Sequence, residues 1–137
     1  MKNILIDTNA YTAFKRGKTE AIDIIQRVYI IGINSIVLGE LLAGFAGGNR
    51  TEQNRKELQE FLASPRVIVL PIDQQTADYY AQVYLGLKQR GKPIPTNDIW
   101  ISASALQHDL AVFTYDKHFK YVENLTTGDS LNNFVIH

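Results

Sequence analysis

The chain has 137 residues, no cysteine, 14 basic against 14 acidic side chains, and 45% hydrophobic content. Length and composition fit one domain (residues 1–137) with a sizeable core, and the missing cysteines exclude disulfide frameworks, thiol catalysis and thiolate-held metals. Neutrality argues against a uniform basic field for nucleic acid, but not against an enzyme whose acids share a pocket ringed by bases.

Lys2 and Asn3 are followed by only three apolar residues, Ile4-Leu5-Ile6, before Asp7. That is far short of a secretory apolar region, and no later run is long enough to span a membrane, so a soluble, cytoplasmic protein is expected. The same three residues read as a buried strand that delivers Asp7 at its C-terminal end. Taken alone, Asp7 also suits the cap of the helix that follows.

Ala10 to Arg16 reads as that helix, and Thr19-Glu20 opens a second, with Ala21, Ile22, Ile24, Ile25 and Val28 at helical spacing. Tyr29 to Asn34 is a second buried strand. Ser35 is the expected cap of a helix from Ile36 to Ala46, ended by Gly47-Gly48. This helix is apolar nearly all round, which predicts burial on most faces. Thr51 to Ala63 is a polar helix with Leu58, Phe61 and Leu62 on one face, stopped by Pro65. Val67 to Leu70 is a third strand.

Gln74 to Arg90 is a long helix with two stripes, Ala77, Tyr80, Ala81, Tyr84 and Leu87 on one side and Tyr79 and Val83 on another. Two stripes suit packing on the sheet and on a second surface such as another subunit; half-exposed tyrosines give the same pattern. Gly91 to Pro95 is an extended loop. Thr96 or Asn97 is then expected to cap a helix from Asp98 to His108. Leu110 to Thr114 is a fourth strand, and Phe134-Val135-Ile136 a short fifth. Strands alternate with helices and no hairpin signal occurs, which predicts an α/β fold with a mostly parallel sheet.

Four acids stand out. Glu40 is the sole ionisable residue of its apolar helix, so its carboxylate needs a partner, a metal or a cleft. Asp98 opens another apolar helix, where the helix dipole alone favours an acid. Asp116 follows the fourth strand as Asp7 follows the first, in a position that also suits a turn residue. Strand ends and helix starts of a parallel sheet share one edge, so Asp7, Glu40, Asp98 and Asp116 are expected to converge there. No lysine or arginine lies inside any of the four apolar stretches. Crowded carboxylates repel, and a hard divalent cation, Mg²⁺ or Mn²⁺, is the simplest relief.

Ile6-Asp7-Thr8-Asn9, Glu40 within Ser35 to Leu41, Pro95 to Ala103 around Asp98, and Thr114-Tyr115-Asp116-Lys117-His118-Phe119 together resemble the PIN-domain nucleases, above all the VapC-type toxins of toxin–antitoxin pairs. The resemblance spans essentially the whole chain. It implies a three-layer α/β/α sandwich and an Mg²⁺- or Mn²⁺-dependent ribonuclease. It also implies a homodimer and a cognate antitoxin whose tail reaches the acidic pocket. Asp7, Asp98 and Asp116 match the metal-holding aspartates, and Glu40 the glutamate that binds directly or through water. Thr114, Thr8 and Asn9 match supporting polar positions. His118 departs from the pattern, since many relatives carry another acid there.

Lys15, Arg16, Lys18, Lys88, Arg90, Lys92, Lys117 and Lys120 flank the acids and suit phosphate contacts, as does His118. His108 and His137 are left unassigned. Two other readings share the fold: a housekeeping RNA-processing nuclease, and a non-catalytic nucleic-acid- or protein-binding module.

Overall fold

The computed structural model describes residues 1–136, so His137 lies outside the described residues. Four apolar runs form the strands β1 (Ile4–Ile6), β2 (Ile31–Asn34), β3 (Val67–Leu70) and β4 (Ala111–Phe113), and a two-residue β5 (Thr127–Gly128) completes the sheet. All pairings are parallel, in the order β3-β2-β1-β4-β5. Every residue of β1, β2 and β4 is buried. Successive strand residues point to opposite faces, so unbroken burial means that both faces are covered, as a three-layer α/β/α arrangement requires.

Six α-helices do the covering among the described residues: α1 (Thr8–Lys15), α2 (Thr19–Arg27), α3 (Ser35–Ala46), α4 (Thr51–Leu62), α5 (Gln74–Gln89) and α6 (Thr96–Gln107). The main core joins β1, β2 and β4 to Ala21, Ile24 and Ile25 of α2, Val37 and Leu41 of α3 and Ile101 of α6. A smaller cluster, Val83, Leu87, Ile99 and Val122, seals α5 onto α6.

Several expectations are corrected. The fifth strand is Thr127–Gly128; Phe134 instead ends a 3₁₀ helix, Leu131–Phe134, followed by Val135 and Ile136 without regular structure. The apolar residue there is a plug: Phe134 is fully buried with its ring 6.1 Å from that of Phe113. The cap of α3 is Asn34, whose Oδ1 accepts from Val37 N at 2.9 Å while its Nδ2 donates to Ser104 Oγ. α6 starts at Thr96 after Pro95 with no side-chain cap, because the Asn97 amide is turned to Glu40. On α3 only Val37 and Leu41 are buried, whereas Gly39, Ala43, Gly44 and Ala46 are exposed. On α5 the larger stripe mostly faces outward: Ala77, Ala81 and Tyr84 are exposed, while Thr76, Val83 and Leu87 are buried. Tyr80 is held against Trp100, ring centroids 4.2 Å apart. No helix among the described residues is long and apolar enough to cross a membrane.

Candidate active site

The strand order reverses between β1 and β4, and the crevice beyond the C-terminal ends of those strands is where open parallel sheets place ligands. Asp7 leaves β1 there, and Thr114, Tyr115 and Asp116 leave β4. Asp7 is also the cap of α1: its Oδ1 accepts from Thr8 N at 2.8 Å. Cap and crevice residue are thus one role, since the capping bond fixes one oxygen and the other faces β4. That second oxygen, Oδ2, accepts from Thr114 Oγ1 at 2.7 Å. Thr114 has one hydroxyl proton, which goes to Asp7, and its oxygen accepts from Asp116 N at 3.0 Å. One threonine therefore spaces the two aspartates that end β1 and β4.

Glu40 reaches the crevice from the second turn of α3. Its Oε1 accepts from Thr8 Oγ1 at 2.6 Å and its Oε2 from Asn97 Nδ2 at 3.1 Å. The carboxylate bridges the starts of α1 and α6, and Asn97 is a site residue that sequence reasoning missed; its place beside Asp98 was the available signal. Asn9 braces the far side, with its Oδ1 accepting from Tyr115 N at 3.1 Å. Asp98, in the first turn of α6, is 9% exposed.

Asp98, Asp116 and His118 each offer a ligand atom within 4.8 Å of the others. His118 Nδ1 lies 3.0 Å from Asp116 Oδ1 and 3.8 Å from Asp98 Oδ2. Asp7 and Glu40 stand outside that tight group but belong to the same electrostatic unit. Burial, and then the charges of Asp7, Asp116 and Glu40, push the Asp98 carboxyl up to about 6, with His118 opposing. Burial raises Asp7 as well, against the hydrogen bonds from Thr114 and Thr8. Among the described residues, no lysine or arginine forms an ion pair with any of the four acids.

The basic candidates divide by position. Lys18 sits over the Tyr115 ring, 4.1 Å from its centroid. Lys117 and Lys120 line a cavity that reaches Asp116. Lys15 and Arg16, two turns along α1 from Asp7, line a cavity of about 550 Å³ with Arg50 and Glu57, and Lys15 pairs with Glu57 at 3.7 Å. Lys92 rests over Tyr121, 5.2 Å from the ring centroid, and Arg90 donates to the Tyr121 carbonyl.

Residues 4–125 match the PIN domain family. Over 105 residues the chain is 30% identical to Ribonuclease VapC2 of Rickettsia felis, covering 76% of this chain and 77% of that protein. It is 32% identical over 124 residues to Toxin FitB of Neisseria gonorrhoeae, covering 82% and 87%. A solved structure of VapBC2 from Rickettsia felis bound to a promoter DNA fragment is similar with a TM-score of 0.82 at 27% identity, over 92% of this chain and 97% of the other. Strand order, acidic crevice and these likenesses agree: the chain belongs to the PIN-domain family, in its VapC branch.

Proposed function

We propose that this protein is the ribonuclease toxin of a toxin–antitoxin pair, a single PIN domain over residues 1–137 that hydrolyses RNA phosphodiester bonds with Mg²⁺ or Mn²⁺. The observation that carries the reading is the meeting of Asp7, Glu40, Asp98 and Asp116 at one strand edge, with Asp98 pushed up to about 6 by its neighbours and its burial. Such a cluster is costly unless a cation neutralises it. The donors are carboxylate oxygens with one imidazole at the margin, a set that suits a hard, oxygen-seeking ion and lacks the soft ligands of a structural zinc site. Asp7, Asp98 and Asp116 would hold it, with Glu40 binding directly or through water. When bound, a divalent cation supplies counter-charge for the pentacovalent phosphate and acidifies the attacking water.

The chain's own residues do the positioning. Thr8 and Asn97 each occupy one oxygen of Glu40 with a donor, which fixes the plane of the carboxylate and leaves lone pairs to accept a proton from the attacking water. Thr114 fixes Asp7 and Asp116 together. Thr114→Val is expected to lower cleavage by about 10- to 100-fold, as loss of a ligand-orienting hydrogen bond does. Thr114→Ser, which keeps the hydroxyl, should restore most of it in a fluorogenic RNA assay. Wild-type cleavage by Thr114→Val, or loss in Thr114→Ser alone, would show that the methyl packing matters and the hydrogen bond does not.

The remaining basic residues, Lys15, Arg16, Lys18, Lys92, Lys117 and His118, serve as phosphate contacts in this reading. A cognate antitoxin and a second copy of the chain are the proposed partners. The support is that the similar VapBC2 structure is of a complex, and that α3 and α5 leave Ala43, Ala46, Tyr84 and Leu85 outward. The cytoplasm, where RNA is reached, is the proposed site of action.

Induced expression of the chain alone is expected to arrest growth, and co-expression of the small protein encoded beside it to relieve the arrest. Normal growth with active, folded enzyme would favour a housekeeping nuclease. Absence of Mn²⁺-dependent RNA cleavage by the purified protein would favour the non-catalytic module.

A further inference from the structure

The two helices that begin at the acids also bound the cavity of about 550 Å³. Thr8, which donates to Glu40, is followed on the same face of α1 by Thr12, Lys15 and Arg16, at the spacing that lines one side of a helix. α3 runs on from Glu40 to Phe45, and the link 47–50 joins it to α4. The cavity lies where α1 ends beside that link. At about 1.5 Å per helical residue, Lys15 stands about 12 Å from Asp7 along α1, a reach of a few nucleotides.

The volume falls within the roughly 300–1,000 Å³ of small-molecule pockets and can take one nucleotide. Lys15, Arg16 and Arg50 bring three positive charges to it against one carboxylate, Glu57. Glu57 is already engaged, accepting from Gln53 Nε2 at 3.0 Å and pairing with Lys15 at 3.7 Å. Arg16 and Arg50 are exposed and, among the described residues, form no ion pair. Two guanidinium groups over one cavity suit a phosphate, which takes their planar fork of donors.

The rest of the lining suits a base. Asn49, exposed, and Asn54, half-buried, offer side-chain amides, which give and accept hydrogen bonds as base edges do. Phe45 is half-buried and supplies aromatic surface on which a base can stack. Tyr11 only backs the cavity, since its hydroxyl is buried. An acidic peptide would use the cations alone, whereas a nucleotide uses cations, amides and ring together.

We propose that this cavity seats one nucleotide of the RNA strand a few positions from the cut, with Arg16 and Arg50 on its phosphate, Asn49 and Asn54 on its base edge and Phe45 against its face. The step rests on the ribonuclease reading above and adds to it a place, outside the four acids, where the substrate's sequence is selected.

The test uses the full chain with Mn²⁺ and an RNA oligonucleotide cut at one mapped position, remade with a single abasic nucleotide at each position in turn. Wild type is expected to cut one strand, with its gap a few nucleotides from the cut, about tenfold or more slowly than the intact RNA. In the double variant Asn49→Ala, Asn54→Ala that ratio should fall towards one. Arg50→Gln should weaken binding of the intact RNA, followed by fluorescence anisotropy in EDTA so that nothing is cut. Its plot of log affinity against log salt should be shallower by about 0.7, the share of one phosphate contact on a single strand. Unchanged melting temperatures separate these effects from misfolding, and the abasic scan itself needs no variant. Equal wild-type rates wherever the gap lies beyond the nucleotides flanking the cut would overturn the proposal. So would an unchanged ratio and salt slope in the folded variants. Antitoxin binding weakened by Arg50→Gln with RNA binding unchanged would assign the cavity to a protein partner and also overturn it. A wild type that leaves even the intact RNA uncut would refute the ribonuclease reading, and the proposal with it.

Discussion

Asp98→Asn is expected to lose RNA cleavage by roughly a hundredfold or more, since changing even a residue behind a metal ligand costs 10–100-fold. The same substitution is expected to make the metal-free protein more stable. The Asp98 carboxyl stands at about 6 in the folded chain against an ordinary 3.8, through burial first and then Asp7, Asp116 and Glu40. The folded state therefore binds more protons than the unfolded state between about pH 4 and 6, and stability falls as pH rises through that window. Above it the penalty is complete, at most about 3 kcal/mol at about 1.4 kcal/mol per pH unit and smaller to the extent that solvent screens the carboxyl. A neutral amide removes it. In EDTA the variant should melt above wild type at pH 7.5, and the gap should close towards pH 4. Wild-type cleavage by the variant, or a lower melting temperature at pH 7.5, would contradict the assignment.

Chelation of divalent cations is expected to abolish cleavage by the wild type, and Mn²⁺ to restore it while raising the melting temperature. An ion that binds only the folded state adds about 2.7 kcal/mol at a hundred times its Kd. At about 4 °C per kcal/mol for a domain of this size, that is a rise of roughly 10 °C. In Asp98→Asn the rise should shrink to a small fraction, because the cluster has lost both a ligand and a negative charge. Calorimetry with and without Mn²⁺ gives the answer directly. Cleavage that persists in EDTA, or equal Mn²⁺ shifts in the two proteins, would remove the cation from the mechanism.

Both effects turn on the acids, and the acids were the most legible part of the sequence. Ile4-Leu5-Ile6 and Ala111-Val112-Phe113 read as buried strands because each is a short, unbroken apolar run, and the residue types that follow mark the sheet edge. Glu40 was conspicuous because a single charge in an apolar helix needs an explanation. Other features carried no such mark. Thr127-Gly128 lacks apolar character, because an edge strand of two residues is held by its backbone pairing with Val112 and Phe113. Phe134 looked like strand because an apolar residue before Val and Ile has the right propensity, yet its burial comes from a 3₁₀ turn that drives one ring against Phe113. On α5, tyrosines and alanines blurred the helical period, and the true inward face includes Thr76, whose hydroxyl donates to Gln107 Oε1 at 2.6 Å. Asn97 was illegible as a site residue for a different reason. Its role arises from what lies across the crevice, the Glu40 carboxylate, and that distance is not written in local sequence.

The placement of Asp7 has one more consequence. Its backbone N–H donates to Phe113 O at 3.0 Å, and it continues a fully buried strand in the middle of the sheet. Moving Asp7 away from the end of β4 means parting β1 from β4, which is the opening of the whole domain rather than of a loop. Local melting at that seam is therefore a costly route for a regulator. Occlusion, with something laid over the acids, leaves that seam intact and is reversible for as long as the occluder can leave.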